Sequence, residues 1–288
     1  MLIGVQANDE LEVSSGEEEI KKTVFSINPD SAAGPDGFPC SFYRATWDVI
    51  NVQVQEAICD FFKGGVLTRG VCASRVVLIP KAHHPTTISQ YHPIFLCNFI
   101  YKILSGLLNR RMNQVIPRLV SKEQHGFVQG RSIHGAIGIA KEMVNDLHKK
   151  SFGSNIIIKV DIDKDCDKIE WSFIQRFLRS FRFSGWFCDM VLRCYSSPWI
   201  SISIMGRGFG IFKTVCGLRK GNLLSPNLSI LSQEALTRNI KSGLDEGSLL
   251  PFKNRSRNSI ISHLMFADDI LFFSNERLKS IEDFRLIM

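Results

Sequence analysis

Three aspartates stand where the sequence pattern predicts rigid core elements, and carboxylates placed in that way invite a cation. Asp161 ends the run Asn155-Ile156-Ile157-Ile158-Lys159-Val160, which reads as a buried strand over 155–161 interrupted only by Lys159. Asp268 and Asp269 fall between two short apolar segments, 260–266 and 270–274, expected to be strands joined at Ala267-Asp268-Asp269. A carboxylate in hydrophobic surroundings is costly unless its charge is neutralised, and Mg²⁺ is commonly held by one or two carboxylates together with substrate phosphates. A pair of such ions is the apparatus of in-line phosphoryl transfer. Asp-Asp in a turn is also ordinary hairpin chemistry, and for these two residues alone both readings stand.

Asp161, Asp163, Asp165 and Asp167 also fall at positions 1, 3, 5 and 7 of a would-be calcium loop. That reading fails, because the sharp turn at position 6 needs glycine and has Cys166, while position 12 needs glutamate and has Ser172.

The elements that must position these acids follow from periodicity. Ser15 to Glu18 fits a capping box, opening a helix that runs to Ile27. Gly34 to Gly37 reads as a turn, and Phe38, Phe42, Trp47, Ile50, Val54 and Ile58 make one helical stripe. A strand is expected over 75–79, a polar loop over 81–91, a basic amphipathic helix from Phe99 to Ile116 closed by Pro117, and a helix over 133–148. Beyond Asp161 come a helix over 170–181, β-rich patches at 200–205 and 210–216, and a helix over 226–240 with Pro226 at its start. The fold class is α+β with a mostly helical first half.

Composition bounds the rest. At 288 residues, 44% hydrophobic and 22% charged, the chain can bury a large core, which excludes disordered, collagen-like and low-complexity classes. No apolar run approaches the roughly 18 to 20 residues of a membrane helix, and the acidic start lacks the order of a signal peptide, so a soluble intracellular protein is expected. The eight cysteines show no zinc-ligand spacing and read as reduced core fillers. The net charge of +7 is uneven. Lys102, Arg110, Arg111, Arg118, Lys122 and Arg131 face the single acid Glu123 over residues 101–132, so either a polyanion partner or a solvated helix face explains the stretch.

An ordered series of motifs sharpens these readings. Gly34-Pro35-Asp36-Gly37-Phe38, Leu78-Ile79-Pro80-Lys81, Pro93-Ile94, Leu96-Cys97-Asn98, Tyr101-Lys102-Ile103 and Asn109-Arg110 lead into Gln124, Phe127 and Gly130-Arg131-Ser132-Ile133. Asp161 with Asp167 and Glu170-Trp171, Gly217-Leu218-Arg219, Gly221, Leu224-Ser225-Pro226 and Ile261-Ser262-His263-Leu264 with Phe266-Ala267-Asp268-Asp269 complete it. Over residues 16–275 the chain resembles the reverse transcriptase domain of plant non-LTR (LINE-type) retrotransposons.

The resemblance implies a fingers-and-palm polymerase fold, with an N-terminal helical segment over 1–30, helical fingers over 31–152 and an antiparallel-sheet palm over 153–288 that is truncated and lacks the thumb. It implies RNA-directed DNA polymerisation on an RNA template and DNA primer with deoxynucleoside triphosphates. Asp161, Asp268 and Asp269 would be catalytic, and Asp161, Asp268 and the backbone of Ile162 would serve two Mg²⁺ ions. Cys166, Lys220, Gly221, Lys102 and Arg110 would line the nucleotide, while Gly130, Arg131, Gly217 and Pro226 would meet the template. A nuclear location is implied by the family, and no membrane role.

Several positions depart from the family pattern. Cys166 stands for an aromatic residue under the nucleotide sugar, Lys220 for a glutamine, Asn222-Leu223 for an Asp-Pro-like pair, His92 for arginine and Phe95 for serine. Asp163 and Asp165 add charge beside Asp161, which should raise nearby carboxyl pKa values. The expectation is a degenerate element with weak or lost activity, the alternative function being a catalytically dead nucleic-acid-binding relict.

Overall fold

The computed structural model describes residues 2–147, 154–162, 165–253 and 260–287. In chain order it comprises α1 (Val5–Glu12), α2 (Glu17–Ser26), α3 (Cys40–Ala45), α4 (Trp47–Phe62), α5 (Arg69–Cys72), β1 (Ser74–Pro80), a 3₁₀ turn (Ile88–Gln90), β2 (Tyr91–Cys97), α6 (Phe99–Leu119) and α7 (Ile133–Leu147). There follow β3 (Asn155–Asp161), α8 (Asp165–Lys168), α9 (Trp171–Ser180), α10 (Gly185–Ser196), β4 (Ile200–Ile204), β5 (Arg207–Phe212), α11 (Ser225–Asp245), β6 (His263–Phe266), β7 (Asp269–Asn275) and α12 (Leu278–Ile287). The α+β class expected from the pattern is what the chain adopts.

Two compact units share this chain, and each is discontinuous. The first is Met1–Gln114 with Cys166–Ser225, the second Val115–Asp165 with Pro226–Met288. Periodicity reports which face of an element is buried and says nothing of which distant element buries it.

In the first unit a four-stranded sheet runs β2-β1-β4-β5, with β1 antiparallel to β2 and parallel to β4. The motif residues Pro93-Ile94 and Leu96-Cys97, beyond the loop expected over 81–91, lie in strand β2, paired with β1 along its length from Ser74 opposite Cys97 to Pro80 opposite Tyr91. In the second unit β7 lies between β3 and β6, antiparallel to both. Side-chain alternation splits this sheet cleanly. Ile157, Leu271 and Phe273 pack with Met143 of α7, while Ile158, Val160 and Phe272 pack with Ile240 of α11 and with Phe284, whose ring stacks on Phe272 at 3.8 Å.

Local expectations are corrected at three places. The capping box at Ser15 is absent: Gly16 is the N-cap without a side-chain bond, because the Ser15 hydroxyl accepts from Arg111 at 2.9 Å. The single stripe from Phe38 is two helices, α3 and α4, parted at Thr46. Pro117 does not close α6 but lies inside its last turn, where the missing N–H costs one bond and the helix still reaches Leu119. The helix expected to reach His148 is described to Leu147, and His148 lies outside the described residues.

The Arg111 guanidinium is buried and donates to Leu11 O, Ser15 Oγ and both carboxylate oxygens of Glu19 at 2.8 to 3.1 Å. It therefore ties α6 to α1 and α2 and is spent within the chain, although it counted among the cations of the basic stretch. Arg111→Ala is expected to cost about 2 kcal/mol, below the full penalty for a broken buried pair because Glu19 is partly solvated. An unchanged urea midpoint would contradict this role.

Candidate active site

Strand pairing brings the two acidic stretches together. In the β3/β7 ladder Asp161 is directly opposite Asp269, and the Ile162 amide donates to the Asp268 carbonyl at 3.2 Å. The β6/β7 hairpin closes with Phe266 opposite Asp269, leaving Ala267 and Asp268 as a two-residue turn with Ala267 at φ 54°. Asp161 and Asp269 share the face of Ile157 and Phe273, and all three carboxylates are exposed at one end of the sheet.

Like charges directly opposite each other on antiparallel strands are unfavourable, with side chains about 4.5 to 5.5 Å apart at Cβ. Lys159, two residues back on the same face, partly answers this, its ammonium lying 2.9 Å from Asp269. The hydrogen bond and charge of Asp269 hold the Lys159 amine above its ordinary pKa. Lys159 was legible in the sequence only as an interruption of an apolar strand, and its two-residue spacing from Asp161 is the signal that would have found it. Among the described residues no group of three or more His, Cys, Asp or Glu could hold a metal ion by itself. Asp161 and Asp268, exposed at the strand end and in no ion pair among the described residues, do fit the chemistry of a hard divalent ion completed by substrate oxygens. Asp163 lies outside the described residues, as does the side chain of Asp165.

What holds the hairpin is the segment 123–126. Met265 N donates to Glu123 O at 2.9 Å and His125 N to Met265 O at 2.8 Å, so this segment runs alongside β6. Gln124 is buried, donates to Gln233 Oε1 at 2.8 Å and accepts from Gly126 N at 2.8 Å. Gly126 lies against the turn so closely that a Cβ there would overlap the Ala267 backbone nitrogen and sit 3.2 Å from Phe266 C. Arg131, expected at the template, directs its guanidinium to the carbonyls of Pro117, Val120, Ser121 and Gln124, satisfying the end of α6 and the segment that follows. Gly130 stands in the turn before α7, and Pro226 is in the first turn of α11.

His263 of β6 is fully buried, its Nε2 3.0 Å from Thr237 Oγ1 and its Nδ1 2.8 Å from Ser262 Oγ. Nearby, Glu123 pairs with Lys241 at 2.9 Å. Burial pushes His263 down to about 4, with Glu123 pulling the other way and Lys241 reinforcing the shift. Because the unfolded imidazole takes up a proton near 6.5 and the folded one does not, stability present above that pH falls as pH drops toward about 4. The loss is about 3 kcal/mol across the window. Replacing His263 by Gln should flatten the dependence of the urea midpoint on pH between those limits, and an unaltered slope would sink the assignment.

The remaining expected residues lie in the first unit. The loop from Cys216 to Ser225 is pinned on several sides: Leu218 N donates to Cys166 O at 2.6 Å, Gly217 N to Ile169 O at 2.8 Å, Trp171 Nε1 to Gly217 O at 2.9 Å and Phe95 N to Lys220 O at 3.1 Å. Gly217 has φ 88°, and a Cβ would come within 2.9 Å of Asp167 O, so glycine is required there on both counts. Lys220 Nζ is 3.7 Å from Asp167. Sequence reasoning missed the buried centre under this loop, where Arg219 donates to Tyr101 Oη at 3.1 Å, to Cys194 O at 3.2 Å and to Tyr195 O. Asn222, noted as a departure, donates to Tyr101 Oη at 2.9 Å and accepts from Leu224 N at 2.8 Å, which keeps the turn before α11 closed.

Lys102 is half-buried and donates to Ser31 Oγ and Ala32 O at 2.7 and 2.6 Å, and burial lowers its pKa. With Gly221 it lines a cavity of about 230 Å³. Arg110 is exposed and lines a mixed cavity of about 430 Å³ with Ser26, Ile27, Asn28, Asn113 and Leu223. Cys166 is half-buried at the N-terminal end of the loop's support. Among the described residues no helix is long and apolar enough to cross a membrane, and none of the eight cysteines is in a disulfide.

Comparison with known proteins agrees with this geometry. A family model described as reverse transcriptase (RNA-dependent DNA polymerase) matches residues 79–287. The chain is 20% identical over 275 residues to the "Transposon TX1 uncharacterized 149 kDa protein" of Xenopus laevis, covering 96% of this chain and 21% of that protein. It is 25% identical over 265 residues to the "Retrovirus-related Pol polyprotein from type-2 retrotransposable element R2DM" of Drosophila melanogaster, covering 91% of this chain and 23% of that protein. The chain thus spans about a fifth to a quarter of the length of the curated relatives it matches. With most of its length matched by that family model, the chain belongs to the reverse transcriptase (RNA-dependent DNA polymerase) family.

Proposed function

We propose that this domain extends a DNA primer on an RNA template with deoxynucleoside triphosphates, using the carboxylates at the end of the β3-β7-β6 sheet. The observation that carries this reading is the register that puts Asp161 opposite Asp269 and ties Ile162 to Asp268. In this reading the carboxylate-bearing sheet is the palm, and the helices with β1 and β2 are the fingers. Divalent ions bound at Asp161 and Asp268 would supply the acidification of the primer hydroxyl and the neutralisation of the leaving pyrophosphate. Asp161 and Asp268 would hold charge at fixed points of a rigid sheet, Lys159 would keep Asp269 oriented, and the Ile162 backbone would fix the approach of the triphosphate. Arg110 would present its cation to phosphate oxygens, whereas the Lys102 ammonium is held by Ser31 and Ala32 and would shape the cavity it lines.

A second reading, nucleic-acid binding without catalysis, is favoured by one observation: cations already neutralise part of the acidic set, Lys159 at Asp269 and Lys220 at Asp167. Primer extension on poly(rA)/oligo(dT) with dTTP and Mg²⁺ separates the two. Extension that Asp161→Ala abolishes supports the first, and salt-sensitive binding without extension supports the second.

A further inference from the structure

The most exposed strand of the molecule has no role in the site just described. β5 is the edge of the first unit's sheet, all six of its residues are exposed, and its outer backbone edge is unpaired by any strand among the described residues. Proteins normally cover or charge such an edge. Here Phe209, Ile211 and Phe212 stand on it, with Ile204 and Met205 at the hairpin tip and Trp199 before β4. Trp199 carries two cations on its ring, Arg69 at 5.5 Å and Lys213 at 5.0 Å.

The charge around this strand has one sign. Between Asp189 and Glu234 the chain holds Arg193, Arg207, Lys213, Arg219 and Lys220 and no acidic residue. Arg69, Arg75, Arg207 and Lys213 make no ion pair among the described residues, and the Arg75 Nε is buried without a hydrogen-bond partner. The Arg75 guanidinium lies beside β5 at Gly208, its Nε 3.5 Å from where a Cβ on that glycine would be.

Cations without ion pairs interleaved with exposed rings fit the chemistry of a nucleic-acid strand, beside which the open backbone edge stays accessible. Phosphates meet the cations, and the faces of unpaired bases stack on aromatic side chains. We propose that the β4/β5 hairpin with Trp199, Arg69 and Arg75 is a binding surface for single-stranded nucleic acid. A duplex would hide the base faces that the rings need. The choice of nucleic acid over another polyanion rests on the reverse transcriptase reading.

Fluorescence anisotropy with labelled oligo(rU) and the full chain tests this. Arg207→Ala combined with Lys213→Ala alters only exposed side chains, and is expected to weaken binding and to reduce the log-log salt slope by about 1.4. Trp199→Leu is expected to weaken binding about tenfold with the slope kept. Wild-type affinity and slope in the double variant would overturn the proposal. So would competition by polyglutamate as strong as by unlabelled oligo(rU), which means a site for any polyanion. A dimer lost in the double variant with oligo(rU) affinity unchanged would assign the edge to a second copy instead. Asp161→Ala is expected to bind oligo(rU) as the wild type does. If extension is sensitive to Asp161 but oligo(rU) binding ignores the hairpin, this inference fails alone. If the hairpin governs binding while the wild type extends no primer, the polymerase reading fails and the surface stands.

Discussion

Replacing Asp161 by alanine is expected to lower primer extension by about a thousandfold or more, with little change in the unfolding midpoint. Removing one preorganised charged or polar contact at a developing charge typically costs a hundred- to a thousandfold, and this carboxylate would hold an ion as well. The fold should survive because Asp161 is exposed at a strand end, and its removal relieves repulsion from Asp269 across the ladder. Asp268→Ala should match it, since Asp268 contributes to β3 through its carbonyl, which the substitution keeps. Single-turnover extension beside urea unfolding distinguishes the outcomes. Equal loss of stability and activity would mean that the aspartate serves the fold, and retained extension would move the chemistry elsewhere.

The second large effect is expected from a residue with no side chain. Gly126→Ala introduces a methyl into the backbone of the turn at Ala267, with no flexible side chain there to give way. Either segment 123–126 leaves β6 or the turn bearing Asp268 moves. Overpacking of this kind costs about 1 to 3 kcal/mol, and an ångström of displacement at a reacting group can cost about a hundredfold in rate. Extension should therefore fall about a hundredfold while oligonucleotide binding persists. Gly126→Ala with wild-type extension and wild-type unfolding would show that the turn tolerates displacement and that its position is not what the segment secures.

How much of this was visible beforehand differs by element. The strand over 155–161 and the pair flanking Asp268 and Asp269 were legible because β-branched runs ending in acids have few alternatives, and the observed β3, β6 and β7 lie within a few residues of them. β2 was hidden because Pro93 and His92 break the usual strand composition, and it forms through pairing with β1. The basic stretch was read correctly as charge and incompletely as surface. Arg111, Lys102 and Arg131 hold carbonyls, hydroxyls and Glu19 of their own chain, which leaves Arg110, Arg118 and Lys122 exposed, Arg110 of them beside a cavity.

What the sequence determined by itself was the chemistry: three aspartates in apolar frames, an α+β pattern, and an ordered set of motifs specific to one family. Only the tertiary structure decided that Asp161 faces Asp269 with Lys159 paired to Asp269, that Gly126 backs the turn, and that β5 is left as an open edge. The physical reason is that side-chain type and period are local properties, fixed within a few residues. Register, burial of a guanidinium and the pairing of an edge depend on which distant segment arrives beside them, and no local pattern encodes that partner.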